Sequence, residues 1–216
     1  MSKAEILARI KDVGIVPVVR AESADEALRA IDAIREGGID ILEITMTVPG
    51  ALRLIEDVSR RLGKDAVVGA GTVLDAETAR ACILAGAQFV VSPAWSAATI
   101  ACCRRHGVPI FPGALTPTEV LAAWEAGADM VKVFPASALG GASYIKALKA
   151  PLPQIDLIPT GGVNLATAAD FIKAGSTALG VGADLVDLKA LREGKAALVT
   201  ERARKLVEIV RKARGG

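Results

Sequence analysis

Residues 41–70 read ILEITMTVPGALRLIEDVSRRLGKDAVVGA. The apolar run at residues 41–44 predicts a short buried strand, and residues 51–62 carry apolar side chains at helical spacing. A second apolar run at residues 66–70 predicts another strand after the helix. A strand, a helix and a strand in this order favour two parallel strands joined by a right-handed crossover.

The same unit repeats along the whole chain. Further strand candidates lie at residues 15–19, 89–91, 109–111, 130–134, 157–159 and 178–181. Further helical patterns lie at residues 23–36, 76–85, 97–106, 117–126, 143–149, 165–174 and 196–212. Glycine follows most of these helices, as at Gly86 and Gly175, where a helix ends in a left-handed residue. Eight such units predict a single-domain (β/α)8 TIM barrel with short loops over residues 1–216, and an open doubly wound sheet is the alternative.

Composition argues for an ordinary globular protein. The chain has 216 residues, of which 52% are hydrophobic and 23% charged, enough for one larger domain with its own core. Its 26 basic and 24 acidic residues are scattered, so neither a nucleic acid nor a membrane is expected as a partner. We expect a cytoplasmic protein, because no signal-peptide pattern or membrane-length apolar run is present. One histidine and three cysteines lack metal-ligand spacing, so no metal is expected and the thiols are interpreted as reduced and buried.

Lys132 is the most unusual residue of the predicted strands. It lies within MVKVFP at residues 130–135, a short apolar run that ends at a proline. Burying an ammonium group without a partner is costly, so a lysine kept in such a place is usually neutralised, paired or chemically used. Desolvation favours the free amine, which can condense with a carbonyl to form a Schiff base. Lys132 is therefore a candidate amine nucleophile.

Two further charged residues end neighbouring strands. Strand side chains alternate, so Arg20 shares a face with Val18, and Glu43 has the same inward parity on the next strand. The active sites of such barrels lie at the carboxyl ends of the strands, where Glu43, Lys132 and Arg20 would converge. A buried pair of Glu43 and Lys132 can also be a structural ion pair, but its place at the catalytic end favours a functional role.

Two glycine-rich segments follow the last two strands. They are PTGGVN at residues 159–164 and GVGAD at residues 180–184. In these barrels the loops after strands seven and eight present backbone N–H groups to a phosphate, and glycine permits close approach. A phosphorylated small-molecule substrate is therefore favoured.

Several short motifs together resemble one enzyme family. They are EIT at 43–45, VGAGTV at 68–73, SP at 92–93, PG at 112–113, KVFP at 132–135 and PTGGV at 159–163. This set is similar to the class I aldolases that cleave 2-keto-3-deoxy-6-phosphogluconate (KDPG), many of which also cleave 4-hydroxy-2-oxoglutarate (KHG). The resemblance implies a metal-independent, cofactor-free aldolase that acts on a 2-keto acid phosphate, gives pyruvate and glyceraldehyde 3-phosphate, and forms a homotrimer.

The resemblance also implies roles for individual positions. Lys132 corresponds to the Schiff-base lysine and Glu43 to the general acid and base. The positions that correspond to substrate-binding residues are Arg20, Thr47, Thr72, Pro93, Phe134, Thr160, Gly161, Gly162, Gly182 and Ala183.

This chain departs from the family pattern at two of these positions. Thr47 stands where some members have an arginine that contacts the substrate carboxylate, and Arg20 is expected to replace it. Ala183 stands where many members have a serine that assists the phosphate. Residues 134–140 and 144–150 resemble instead the aldolases of the galactonate epimer, so the preferred epimer stays open.

Two other functions are compatible with the predicted fold. A phosphosugar isomerase or epimerase would use the phosphate loops but would give Lys132 no covalent role. A non-catalytic oligomeric scaffold on the same barrel would need neither Glu43 nor Lys132, and a fold alone does not establish an activity.

Overall fold

The computed structural model describes residues 1–215 and alternates strands with helices. The strands are β1 Ile15–Val19, β2 Ile41–Thr45, β3 Val67–Gly71, β4 Val90–Val91, β5 Ile110–Phe111, β6 Gly113–Ala114, β7 Val131–Val133, β8 Leu157–Pro159 and β9 Leu179–Val181. The helices are α1 Lys3–Val13, α2 Ala24–Glu36, α3 Ala51–Leu62, α4 Ala76–Leu84, α5 Ala97–Arg105, α6 Pro117–Glu125, α7 Ala142–Lys149, α8 Ala168–Lys173, α9 Leu188–Arg192 and α10 Ala196–Ala213, with a 3₁₀ helix at Ala136–Leu139.

The fold is of the α/β class, with a curled parallel sheet. Six strands are hydrogen-bonded in the order β5-β4-β3-β2-β1-β9, and three more in the order β6-β7-β8. Every strand pairing is parallel. Strands β1 to β5 are neighbours in chain order without the reversal that marks a doubly wound sheet, so the alternative architecture is not observed.

The sheet differs from the expected closed ring of eight strands because it is hydrogen-bonded in two parts. The predicted fifth strand at residues 109–111 extends to Ala114 and is interrupted at Pro112, which has no N–H to donate to a neighbouring strand. Its first part pairs with β4 and its second part with β7. Between β8 and β9 there is only an isolated bridge from Thr160 to Gly180. Gly216, the last residue of the predicted domain, lies outside the described residues.

Strand parity places apolar side chains on both faces of the curled sheet. The outward-facing residues, such as Leu42 and Ile44, form the main core with the surrounding helices. The inward-facing residues, such as Val16, Ile41 and Met130, form a second core with Phe89 and Phe111. These inward residues lie toward the amino ends of their strands, so the carboxyl ends remain available for polar side chains.

Helix α1 was not predicted, yet it covers the amino-terminal end of the inner core. Ile6 and Ile10 are buried against the inward-facing strand residues. Salt bridges of 2.7 Å from Lys3 to Asp129 and 2.6 Å from Lys11 to Asp156 join the helix to the segments before β7 and β8. The sequence carried a signal for this helix, because Ser2 and Glu5 form a capping box.

Candidate active site

A cavity of about 570 Å³ opens at the carboxyl ends of the strands. It is lined by Val18, Arg20, Thr72, Pro93, Lys132, Phe134, Thr160, Gly161, Gly162, Val163, Gly180, Gly182, Ala183, Asp184, Val186, Asp187 and Leu188. These residues come from strand ends and the loops that follow them, as expected for a barrel-like α/β enzyme. Its size suits a small organic substrate.

Lys132 is the central residue of β7 and lies at the base of the cavity. Its backbone pairs with Gly113 of β6 and Ile158 of β8, which fixes the direction of its side chain. The residue is only 6% exposed, and its Nζ lies 5.2 Å from the centroid of the Phe134 ring. Within residues 1–215 no carboxylate forms a salt bridge with this amine. A buried amine without an ion-pair partner is suited to act as a nucleophile.

Glu43 lies on β2, and its buried carboxylate interacts electrostatically with Lys132 and Arg20, two residues that line the cavity. The residue is 2% exposed, and its Oε1 has no hydrogen-bond partner within the described residues. Burial raises the pKa of the Glu43 carboxyl above its ordinary value, whereas the positive charges of Lys132 and Arg20 oppose this rise. The three groups therefore interact electrostatically, although Glu43 and Lys132 do not form a salt bridge in residues 1–215. A carboxyl group with a raised pKa is suited to proton transfer near neutral pH.

Arg20 and Thr72 present polar groups to the same cavity from different strands. Arg20 follows β1 and is exposed, and Thr72 follows β3. Thr72 has a φ of 59°, which is a strained conformation for a β-branched residue and is held by the surrounding structure. Strain of this kind is often found where a side chain must be aimed at a ligand.

Thr47 is placed differently from the other predicted binding residues. It is exposed, and its Oγ1 lies 2.7 Å from Oγ1 of Thr45, whose hydroxyl also donates to the carbonyl of Val19. Among residues 1–215, neither Thr47 nor Glu43 belongs to the set that lines the open cavity. Arg20 does line it, so the guanidinium available to a substrate comes from β1.

The end of the cavity after β8 and β9 is built mainly from backbone. Gly161 and Gly162 have φ angles of 91° and 77°, which favour glycine and bring the chain close to the cavity. Within residues 1–215, the N–H groups of Gly162 and Ala183 donate to no backbone carbonyl. The helices that follow, α8 and α9, have only six and five residues, so the loop amides rather than long helices would bind an anion.

Several lining residues were not predicted from the sequence. Val186, Asp187 and Leu188 come from the short helix α9 and the turn before it. Asp187 caps this helix, because its Oδ1 accepts from the N–H of Ala190 at 2.9 Å. An aspartate before a run of helix-forming residues is the signal that could have identified it. The other unpredicted lining residues are Val18, Val163, Gly180 and Asp184.

The cysteines do not provide a competing nucleophile. Cys82, Cys102 and Cys103 are buried and form no disulfide. Burial raises the pKa of the Cys82 thiol to about 11 and that of Cys103 to about 12, which disfavours the reactive thiolate.

The described residues contain neither a metal-binding cluster nor a membrane-spanning helix. Within residues 1–215, no group of three or more histidine, cysteine, aspartate and glutamate side chains is placed to hold a metal ion. In the same range, no helix has the length and apolar character needed to cross a membrane.

This chain is similar to known proteins in both sequence and fold. The family model for KDPG and KHG aldolase matches residues 6–202. The 2-dehydro-3-deoxy-phosphogluconate aldolase of Treponema pallidum is 35% identical over 205 residues, covering 95% of this chain and 97% of the relative. The 2-dehydro-3-deoxy-6-phosphogalactonate aldolase of Escherichia coli K12 is 38% identical over 172 residues, covering 79% and 83%.

A solved structure extends the likeness to the whole fold. The KDPG aldolase of Legionella pneumophila, crystallised with pyruvate captured as a covalent carbinolamine intermediate, superposes with a TM-score of 0.85 at 26% identity. The match covers 95% of this chain and 98% of the other. The predicted class of enzyme, an aldolase that acts as a carbon–carbon lyase, is confirmed. This chain belongs to the KDPG and KHG aldolase family.

Proposed function

We propose that this protein is a class I Schiff-base aldolase that cleaves KDPG to pyruvate and glyceraldehyde 3-phosphate. The observation that carries the proposal is the buried amine of Lys132, which has no ion-pair partner in residues 1–215 and faces a cavity above a buried carboxyl group. An isomerase or epimerase would give Lys132 no covalent role, and a scaffold would need neither Lys132 nor Glu43. The covalent pyruvate adduct of the Legionella pneumophila relative supports this chemistry.

The reaction can be written with the residues of the cavity. The amine of Lys132 attacks the C2 carbonyl of the keto acid, and loss of water from the carbinolamine gives an iminium ion. Glu43 accepts the proton of the C4 hydroxyl, the C3–C4 bond breaks, and its electron pair moves into the iminium to form an enamine. The aldehyde leaves, Glu43 returns the proton to C3, and water hydrolyses the new iminium to pyruvate and the free lysine.

The binding residues would hold the two ends of the substrate. We propose that Thr72 and Arg20 bind the carboxylate of the pyruvyl part, with Pro93 and Phe134 forming the walls around it. Thr160, Gly161, Gly162, Gly182 and Ala183 would surround the phosphate. Ala183 can contribute only its backbone N–H, so phosphate binding rests on the loop amides. The role of Thr47 would be indirect, through its contact with Thr45.

Two other substrates have specific support. The identity with the phosphogalactonate aldolase of Escherichia coli, together with residues 134–140 and 144–150, supports the galactonate epimer of the same phosphorylated acid. Other relatives, at 31% to 36% identity, carry names that include KHG or phosphogluconate, among them the KHG/KDPG aldolase of Escherichia coli K12 at 31%. KHG is therefore proposed as a secondary substrate.

We also infer that the chain forms one closed (β/α)8 domain and assembles as a homotrimer in the cytoplasm. The bridge from Thr160 to Gly180 and the continuity of residues 110–114 support closure of the two sheet parts into one barrel. Exposed apolar side chains such as Leu74, Leu84 and Trp124 support an interface with other copies.

Trapping with borohydride tests the proposed reaction class. Incubation with pyruvate and sodium borohydride should add one reduced pyruvyl group per chain, and peptide mass spectrometry should place it on Lys132. The matched control is the exposed Lys146, which should stay unmodified. An unmodified Lys132 under conditions that label a known class I aldolase would contradict the proposal.

Arg20→Ala should weaken substrate binding more than it slows the chemical step. Loss of one charge-assisted contact to a carboxylate costs about 1.5–3 kcal/mol, so KM should rise by roughly 10- to 100-fold. Arg20→Lys keeps the positive charge but not the bidentate geometry, so its KM should lie between those of the wild-type protein and Arg20→Ala. Steady-state kinetics with the phosphorylated acid and with KHG measure the effect, and an unchanged KM for both substrates would contradict the role.

A further inference from the structure

Gly71 lies at the end of β3, where the backbone conformation does not require a glycine. Gly71 is not among the glycines with positive φ, so its conformation is open to other residues. The constraint is instead spatial, because a Cβ built at this position would lie 2.6 Å from both Cγ and Cδ of Glu43 and would overlap Oε1. Atoms at such distances collide, and the buried glutamate would have to move.

Strand register explains why Glu43 reaches this position. Glu43 of β2 is paired with Gly69 of β3, and its side chain extends diagonally to the next inward position, which is Gly71. The carboxylate oxygen Oε1 is buried there and has no hydrogen-bond partner within the described residues. The carboxylate is therefore held by the shape of the site rather than by a hydrogen bond to Oε1.

We propose that Gly71 is a positioning residue for Glu43, an inference that rests on the proposed role of Glu43 as acid and base. The missing side chain leaves the volume that the carboxylate occupies beneath the cavity. A methyl group at this position would displace the carboxylate from its place below the substrate, and proton transfer to and from the substrate would lose its geometry. Gly71 acts through Glu43 and does not touch the reacting atoms.

Gly71→Ala should lower kcat by about 100-fold, since a displacement of about 1 Å at a reacting group has an effect of this size. KM should change little, and pyruvate should still be trapped on Lys132 by borohydride. The matched control is Gly69→Ala on the same face of the same strand. Its Cβ would meet the ring of Phe89 instead of Glu43, so it should reduce stability but leave kcat of the folded enzyme near the wild-type value.

A double-mutant cycle, measured as melting temperatures, distinguishes a collision of the new methyl group with Glu43 from a collision with other neighbouring atoms. Gly71→Ala should lower the melting temperature when Glu43 is present, and should leave it unchanged or raise it in a Glu43→Ala background, where the colliding atoms are absent. Gly69→Ala should lower it equally in both backgrounds. If Gly71→Ala does not fold alone, the double variant should still fold. An equal loss for Gly71→Ala in both backgrounds, or a kcat within threefold of wild type, would overturn the proposal.

Failure of the underlying aldolase proposal has a different signature. The wild-type protein would then show no pyruvate adduct on Lys132 and no cleavage of the keto acids. The stability cycle between Gly71 and Glu43 does not depend on catalysis, so it still decides whether Gly71 sets the position of the carboxylate.

Discussion

Lys132→Met should lower kcat for cleavage of the keto acid by roughly 10⁵-fold or more, because within residues 1–215 no other lysine lines the cavity to form the iminium that accepts the electron pair of C3–C4. Methionine has a similar length and suits an apolar site, so the fold should be retained. The residue is 6% exposed and forms no salt bridge within residues 1–215. Its removal takes away one of the two positive charges that oppose the raised pKa of Glu43, so the carboxyl of Glu43 should be more readily protonated in this variant. Single-turnover assays with the phosphorylated acid measure the loss.

Two control variants separate covalent from electrostatic roles of Lys132. Lys132→Arg keeps a positive charge but cannot form a Schiff base at neutral pH, so it should be nearly as inactive as Lys132→Met. Lys146→Ala removes an exposed lysine of α7 and should keep full activity. Activity of Lys132→Arg within tenfold of the wild-type value would show that the charge of this residue, and not its amine chemistry, matters.

Much of the fold could be predicted because periodicity and glycine placement report on local structure. The pattern at residues 51–62 matches α3, and the runs at residues 15–19 and 157–159 match β1 and β8. Helix α1 precedes the first strand, so the alternation of strands and helices does not predict it. The interruption at Pro112 depends on which neighbour each carbonyl and N–H faces, and single-sequence patterns do not contain that information.

The candidate site was predictable where a residue type conflicts with its surroundings. Lys132, a lysine inside an apolar strand, and Glu43, a glutamate of inward parity, both indicated the site. Both are buried, and of the two Lys132 lines the cavity. The contribution of residues 186–188 was not predictable in the same way, because α9 is too short to show a helical period. The orientation of Thr47 toward Thr45 depends on loop geometry that its position in the chain does not reveal.

Glu43→Gln should reduce kcat by about 10²- to 10⁴-fold, which is the usual contribution of a positioned acid or base. Glutamine has nearly the same shape and should occupy the same volume over Gly71, but it cannot accept the C4 hydroxyl proton. Formation of the iminium on Lys132 should be affected less, so pyruvate trapping should persist. Comparison of trapping with cleavage measures the two steps separately, and equal loss in both would assign Glu43 to imine formation as well.

The pH dependence of activity provides an independent test of Glu43. Burial raises the pKa of its carboxyl, so kcat should fall as the pH drops through a value above the ordinary glutamate value of 4.5. Glu43→Gln should lack this fall of kcat at low pH, the acidic limb of the pH profile. Removal of Arg20, whose charge opposes the rise, should move the limb to higher pH. An acidic limb that persists in Glu43→Gln would assign the ionisation to another group.

Stability should change with pH in the opposite sense to activity. Because the folded-state pKa of Glu43 lies above its unfolded value, the carboxyl contributes stability that is fully present below the unfolded value and is lost as the pH rises through the folded one. At pH 7 to 8, Glu43→Gln should therefore melt at a higher temperature than the wild-type protein, and the gain should shrink toward pH 4. If Glu43→Gln is more stable but less active than the wild-type protein, the buried carboxylate is retained for catalysis and not for stability. A lower melting temperature for Glu43→Gln at neutral pH would show instead that its charge stabilises the fold.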